Sequence, residues 1–132
     1  MKTLPLALLI TALFLTACAS KPPTPTPVPT LAVSDAGKTI EVTAGNEFKI
    51  IVDSNPSTGY HWELVEALDT KVVDFVKKDY VANEPVMPGS GGRDVWRFKA
   101  NAPGQATITL GFYPPGDSDV NEQQLVFTII VK

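Results

Sequence analysis

Little in this sequence can do chemistry. Its 132 residues include one cysteine and one histidine, so no intrachain disulfide can form and no zinc site of several His or Cys ligands can be assembled. The cysteine, Cys18, closes the N-terminal apolar run and has no base beside it to make it a nucleophile. No serine stands in a Gly-x-Ser-x-Gly elbow, and Gly89-Ser90-Gly91-Gly92 does not form one. Asp117 and Asp119 offer hard oxygens, but without the rest of an EF-hand pattern they read as a solvated acidic loop. The expectation is a protein without catalytic residues, metal or cofactor, and therefore not an enzyme. Surplus positive charge is missing too. The 11 Lys and Arg are interspersed with 14 Asp and Glu, for a net charge of −3, which gives no electrostatic basis for binding nucleic acid.

What is present begins with a targeting segment. Lys2 leads into the apolar run from Leu4 to Leu15, too short to span a bilayer as a stable helix. It ends in Leu15-Thr16-Ala17-Cys18, which resembles the lipobox of bacterial lipoproteins. Residues 1–17 are thus expected to be a lipoprotein signal peptide, with Cys18 the lipidated N-terminus of the mature chain. Ala19 and Ser20 follow, with no Asp directly after the cysteine. The expected location is the bacterial cell envelope, lipid-anchored on a periplasmic or extracellular face. Residues 18–36 form a Pro/Thr-rich linker after that cysteine. In Pro22-Pro23-Thr24-Pro25-Thr26-Pro27-Val28-Pro29 the prolines fix φ and remove backbone donors, giving an extended, semi-rigid tether of roughly 35 Å.

The remainder, residues 37–132, reads as one β domain. Helical periodicity is poor, whereas period-two alternation recurs between turn signals. Strands are expected at Thr39–Thr43, around Phe48-Ile50-Val52, at Tyr60-Trp62-Leu64, at Val72–Val81, at Trp96-Phe98-Ala100, at Ala106–Phe112 and at Leu125–Val131. Seven short strands with a tryptophan on the third are the pattern of an immunoglobulin-like seven-strand sandwich, here without a disulfide, with Trp62 as the central core residue. An open barrel is the alternative. A monomer is expected.

Three connections carry unusual composition. Asn55-Pro56-Ser57-Thr58-Gly59-Tyr60 is a stiff turn: Asn and Pro initiate it, and Gly59 supplies a positive φ. Pro88-Gly89-Ser90-Gly91-Gly92 exposes backbone with few side chains in the way. Tyr113-Pro114-Pro115-Gly116-Asp117 is stiffened by proline. In the expected sandwich these follow the second, fourth and sixth strands and share one end, forming a protein-recognition surface with a low entropy cost on binding.

These residues resemble the chagasin family of papain-like cysteine peptidase inhibitors. Members carry an Asn-Pro-Ser/Thr-Thr-Gly-Tyr/Phe-x-Trp loop, matched throughout by Asn55 to Trp62, and a Gly-x-Gly-Gly segment, matched by Gly89-Ser90-Gly91-Gly92 before Trp96 and Phe98. The third family motif, Arg-Pro-Trp, is reduced here to Pro114-Pro115-Gly116. That loses a cation and an aromatic anchor of the kind that acts as a hot spot, each worth about 2 kcal/mol or more. Tyr113 is the partial substitute on offer, and weaker binding or a shifted target preference is expected. The resemblance implies reversible, non-covalent inhibition. Asn55, Pro56, Ser57, Thr58, Gly59 and Tyr60 would enter the peptidase cleft, Gly89, Ser90, Gly91 and Gly92 would pair their backbone with it, and Tyr113, Pro114 and Pro115 would brace the far side. The competing reading is an envelope-tethered immunoglobulin-like adhesion or assembly module without inhibitory activity, which the missing Arg and Trp favour.

Overall fold

A computed structural model describes residues 27–117 and 119–132. The expected signal peptide, the lipidation site Cys18 and the linker up to residue 26 lie outside the described residues. The chain forms strands β1 (Thr30–Leu31), β2 (Thr39–Val42), β3 (Glu47–Ser54), β4 (His61–Leu64), β5 (Val73–Ala82), β6 (Gly92–Ala100), β7 (Gly104–Tyr113) and β8 (Gln123–Val131). They make two four-stranded sheets, ordered β1-β3-β6-β5 and β2-β8-β7-β4. The architecture is therefore a sandwich and not a barrel.

The alternation legible in the sequence decides which faces meet. Phe48, Ile50 and Val52 of β3 and Trp96, Phe98 and Ala100 of β6 turn inward from one sheet. Ala106, Ile108 and Leu110 of β7 and Leu125, Phe127, Ile129 and Val131 of β8 meet them from the other. Such inner faces interdigitate to make the core of a sandwich. The Phe48 and Phe98 rings stack with centroids 5.5 Å apart. Trp62 is buried, but at one end of this core and not at its centre: its indole Nε1 donates to the Asp53 carbonyl at 2.8 Å, tying the end of β3 to β4. Along the open side of the sandwich, the Lys78 ammonium reaches from β5 to the Trp62 carbonyl at 3.4 Å, to Asp94 at 3.8 Å and over the Trp96 ring at 4.9 Å.

One expectation is corrected. Among the described residues there are eight strands, not seven, and the additional one comes from the stretch read as linker. Thr30 and Leu31 run parallel to β3, opposite Lys49 and Ile50. Lys49 N–H donates to the Pro29 carbonyl at 2.8 Å, and Leu31 is buried in the core. The folded unit therefore begins ahead of residue 37. Two residues are too few to show a period, and the prolines beside them suggest extended solvated chain. An edge strand tolerates proline because its outward side needs no donor.

Pairing register places the connections. Ser54 lies opposite Gly92, and Gly92 opposite Ala82, in the first sheet. His61 lies opposite Tyr113, and Phe112 opposite Gln123, in the second. The β3–β4, β5–β6 and β7–β8 connections therefore leave from one pole. Because β1 runs parallel to β3, the chain enters at the opposite pole.

Candidate functional site

The central element of the loop pole is Asn55–Gly59. Pro56 to Thr58 form a single 3-10 turn, and Gly59 ends it with φ +82°, a conformation that costs residues with a Cβ about 1–2 kcal/mol. The turn is stitched by its own side chains. Thr58 N–H and Gly59 N–H donate to the Asn55 and Pro56 carbonyls, both at 3.1 Å. The Thr58 hydroxyl donates to the Asn55 carbonyl at 2.7 Å, and the Ser57 hydroxyl to Asn55 Oδ1 at 2.7 Å. The Ser57 and Thr58 hydroxyls thus hold the turn rigid from within. Pro56, Ser57, Thr58 and Gly59 are all exposed.

The flanking connections press on this turn from either side. Asn55 Nδ2 donates to the Gly89 carbonyl at 3.2 Å, joining the first loop to the second. Met87-Pro88-Gly89-Ser90 is a tight turn closed by Ser90 N–H to the Met87 carbonyl at 2.9 Å. On the other side, a Cβ built on Gly59 would lie 2.8 Å from Pro115 Cβ, so the first loop touches the third with no room for a methyl group. Tyr60 stacks on Phe112 at 5.1 Å, and its hydroxyl donates to Glu122 at 3.2 Å. The Glu122 charge, and secondarily the hydrogen bond that it accepts, hold the Tyr60 phenol above its usual pKa, so it remains a neutral donor. Between Asn55, Thr58 and Tyr60 on one side and Asn83 and Gly91 on the other lies an open hollow of about 440 Å³.

The sequence-derived residues divide by this geometry. Asn55 to Tyr60, Gly89, Ser90, Gly91, Pro114 and Pro115 gather at the one pole. Gly92 does not present its backbone outward: it is buried as the first residue of β6, where a side chain would collide with the Val81 carbonyl and the Tyr80 ring. Glycine is required there for close packing. Tyr113 is also buried, at 7% exposure. Its ring lies across Gly111 and stacks on His61 at 6.0 Å. It supports the third loop from below and cannot replace an aromatic anchor at the tip. Sequence reasoning passed over Val86, Met87 and Val120, which stand 67%, 61% and 66% exposed in the second and third loops. Apolar residues in loops with no alternation to bury them were the available signal.

Asn55→Ala would remove the bond to Gly89 and the acceptor for Ser57 together. A loss of about 1–2 kcal/mol in stability is expected, read as a lower urea midpoint at unchanged m-value; an unchanged midpoint would show that these bonds do not hold the loops.

Residues 41–131 match the family profile described as Chagasin family peptidase inhibitor I42. Among solved structures, amebosin in solution aligns with a TM-score of 0.67 at 25% identity, over 81% of this chain and 100% of that one. A cysteine protease inhibitor of Entamoeba histolytica aligns with a TM-score of 0.68 at 22% identity, over 80% of this chain and 96% of that one. The fold is also that of the Leishmania mexicana protein ICP, with a TM-score of 0.53 at 22% identity, over 85% of this chain and 96% of that one. No curated protein sequence matches the chain.

Proposed function

The chain belongs to the chagasin family of peptidase inhibitors, and from that premise we propose that it inhibits papain-like cysteine peptidases reversibly and non-covalently, by filling the active-site cleft with its three loops. It is an inhibitor and not an enzyme. The observation that carries the proposal is the exposed Asn55–Gly59 turn, locked by internal hydrogen bonds and flanked on both sides by the other two loops.

The turn offers a peptidase shape without a cleavable bond. Peptide hydrolysis requires a near-attack arrangement in which the scissile carbonyl is open to the nucleophile. Here the Asn55 and Pro56 carbonyls already accept hydrogen bonds inside the turn, and the 3-10 winding keeps them from an extended substrate conformation. Rigidity also limits the ordering cost of binding. Three loops at one pole suit a standard interface of roughly 800 Å² per partner. The third loop lacks Arg and Trp, and the exposed Val86 and Met87 of the second loop offer apolar contact surface in their place.

The anchoring belongs to the same proposal. Leu15 to Cys18 resembles a lipobox, and the chain enters the fold at the pole opposite the loops. A lipid on Cys18 would then hang the domain with its inhibitory end facing away from the membrane, free to meet a peptidase arriving from solution.

Titration of the purified protein against papain tests the function. Substrate-competitive, dilution-reversible inhibition at or below micromolar concentration is expected, with the protein recovered uncut. Absence of inhibition across several papain-like peptidases would overturn it. Recovery of a non-peptidase envelope partner that needs the third loop and not the first would instead establish the adhesion or assembly reading, which the missing Arg and Trp favour.

A further inference from the structure

We propose that His61, the one histidine of the chain, is a positioning residue that locks the Asn55–Gly59 turn when its imidazole is protonated, so that inhibition is strongest at mildly acid pH. This rests on the reading of that turn as the inhibitory wedge.

The geometry sets the protonation requirement. His61 Nδ1 lies 3.2 Å from the Gly59 carbonyl oxygen, and Nε2 lies 3.2 Å from Glu63 Oε1. A carbonyl and an ionised carboxylate can only accept. A neutral imidazole carries one N–H and can donate to one of them, leaving the other facing a bare nitrogen lone pair; the imidazolium donates to both. The ring also stacks on Tyr113, an aromatic face that favours a cation. The groups facing His61 are thus Glu63 on its own strand, Tyr113 from β7 and the Gly59 carbonyl.

The contact bears on the wedge because of which carbonyl it holds. Gly59 is the left-handed residue that ends the turn, and the plane of its peptide with Tyr60 sets the angle at which the wedge leaves β4. Gly59 is also where the wedge abuts Pro115. A ring fixed by Glu63 below and bonded to Gly59 above holds that peptide in one orientation. When the proton leaves, one tie breaks, water replaces it at the one-third exposed ring, and the turn gains freedom that binding must then remove.

The test compares inhibition constants of the wild-type protein, His61→Gln and Glu63→Gln against papain from pH 5 to pH 8, the range in which imidazoles change charge. At each pH the ratio of variant to wild type is taken, so that titration of the peptidase cancels. For His61→Gln the ratio is expected to rise by about 3- to 10-fold from pH 8 to pH 5; for Glu63→Gln a smaller rise is expected. A ratio constant with pH would mean that His61 merely packs, and would overturn the proposal. In the free protein, NMR titration of the imidazole should be mirrored by the Tyr60 amide with the same midpoint. A Tyr60 amide that does not follow the ring overturns the proposal even if papain is not inhibited at any pH, which by itself would count against the wedge reading alone.

Discussion

Gly59→Ala is expected to weaken inhibition of papain by roughly 100-fold, equivalent to about 2.7 kcal/mol. Two costs fall on one methyl group. The backbone at Gly59 has φ +82°, where a Cβ costs about 1–2 kcal/mol. The new Cβ would also lie 2.8 Å from Pro115 Cβ, closer than two carbons can approach, so either the third loop swings away or the wedge tilts. Relaxation relieves strain but separates two surfaces that, on the proposed mechanism, enter one cleft together. Global stability falls by about 1–3 kcal/mol, within what a domain stable by 5–15 kcal/mol tolerates. Thermal melting and the inhibition constant measured on the same sample separate the two effects. A folded Gly59→Ala protein that inhibits like the wild type would show that contact between the first and third loops is irrelevant to binding.

Starting the chain at Gly37 instead of Pro27 is expected to lower stability by about 2–4 kcal/mol, the scale of losing a buried leucine with its packing. For a domain of this size that corresponds to a fall of roughly 10–20 °C in melting temperature. The truncation removes Leu31 from the core, β1 from its parallel pairing with β3, and the Pro29 carbonyl that accepts from Lys49 N–H. It also leaves β3 as an unprotected edge, a template for association with other chains, so concentration-dependent light scattering is expected alongside. Inhibition at 25 °C should persist, because β1 pairs with the half of β3 remote from the loops. A melting temperature within about 2 °C of the longer chain would show that β1 contributes nothing to the fold.

The first-loop turn was legible residue by residue. Asn, Pro and Gly at fixed offsets dictate a tight turn ending in positive φ, and the structure forms that turn at Pro56–Gly59. The strands were equally legible, because inward and outward residues alternate along β3, β6 and β8, and along β7 as far as Ile108. Tyr113 and Gly92 were misread for a common reason. Both stand next to loop residues in the sequence, and composition near a turn does not say whether the last residue of a strand faces water or a neighbouring strand. For Tyr113 the answer lies in Gly111, whose missing side chain makes room for the ring; for Gly92 it lies in Tyr80 and Val81 on β5.

The sequence by itself determined the all-β class, the strand faces and the internal rigidity of the first loop, because alternation and turn chemistry act over two to five residues. Only the tertiary structure decided that this loop sits between the other two and that β1 joins the sheet. The Asn55–Gly89 and Tyr60–Glu122 bonds join residues 34 and 62 positions apart. Such partners are selected by strand pairing and by the closure of two sheets over a shared core, and no local pattern encodes them.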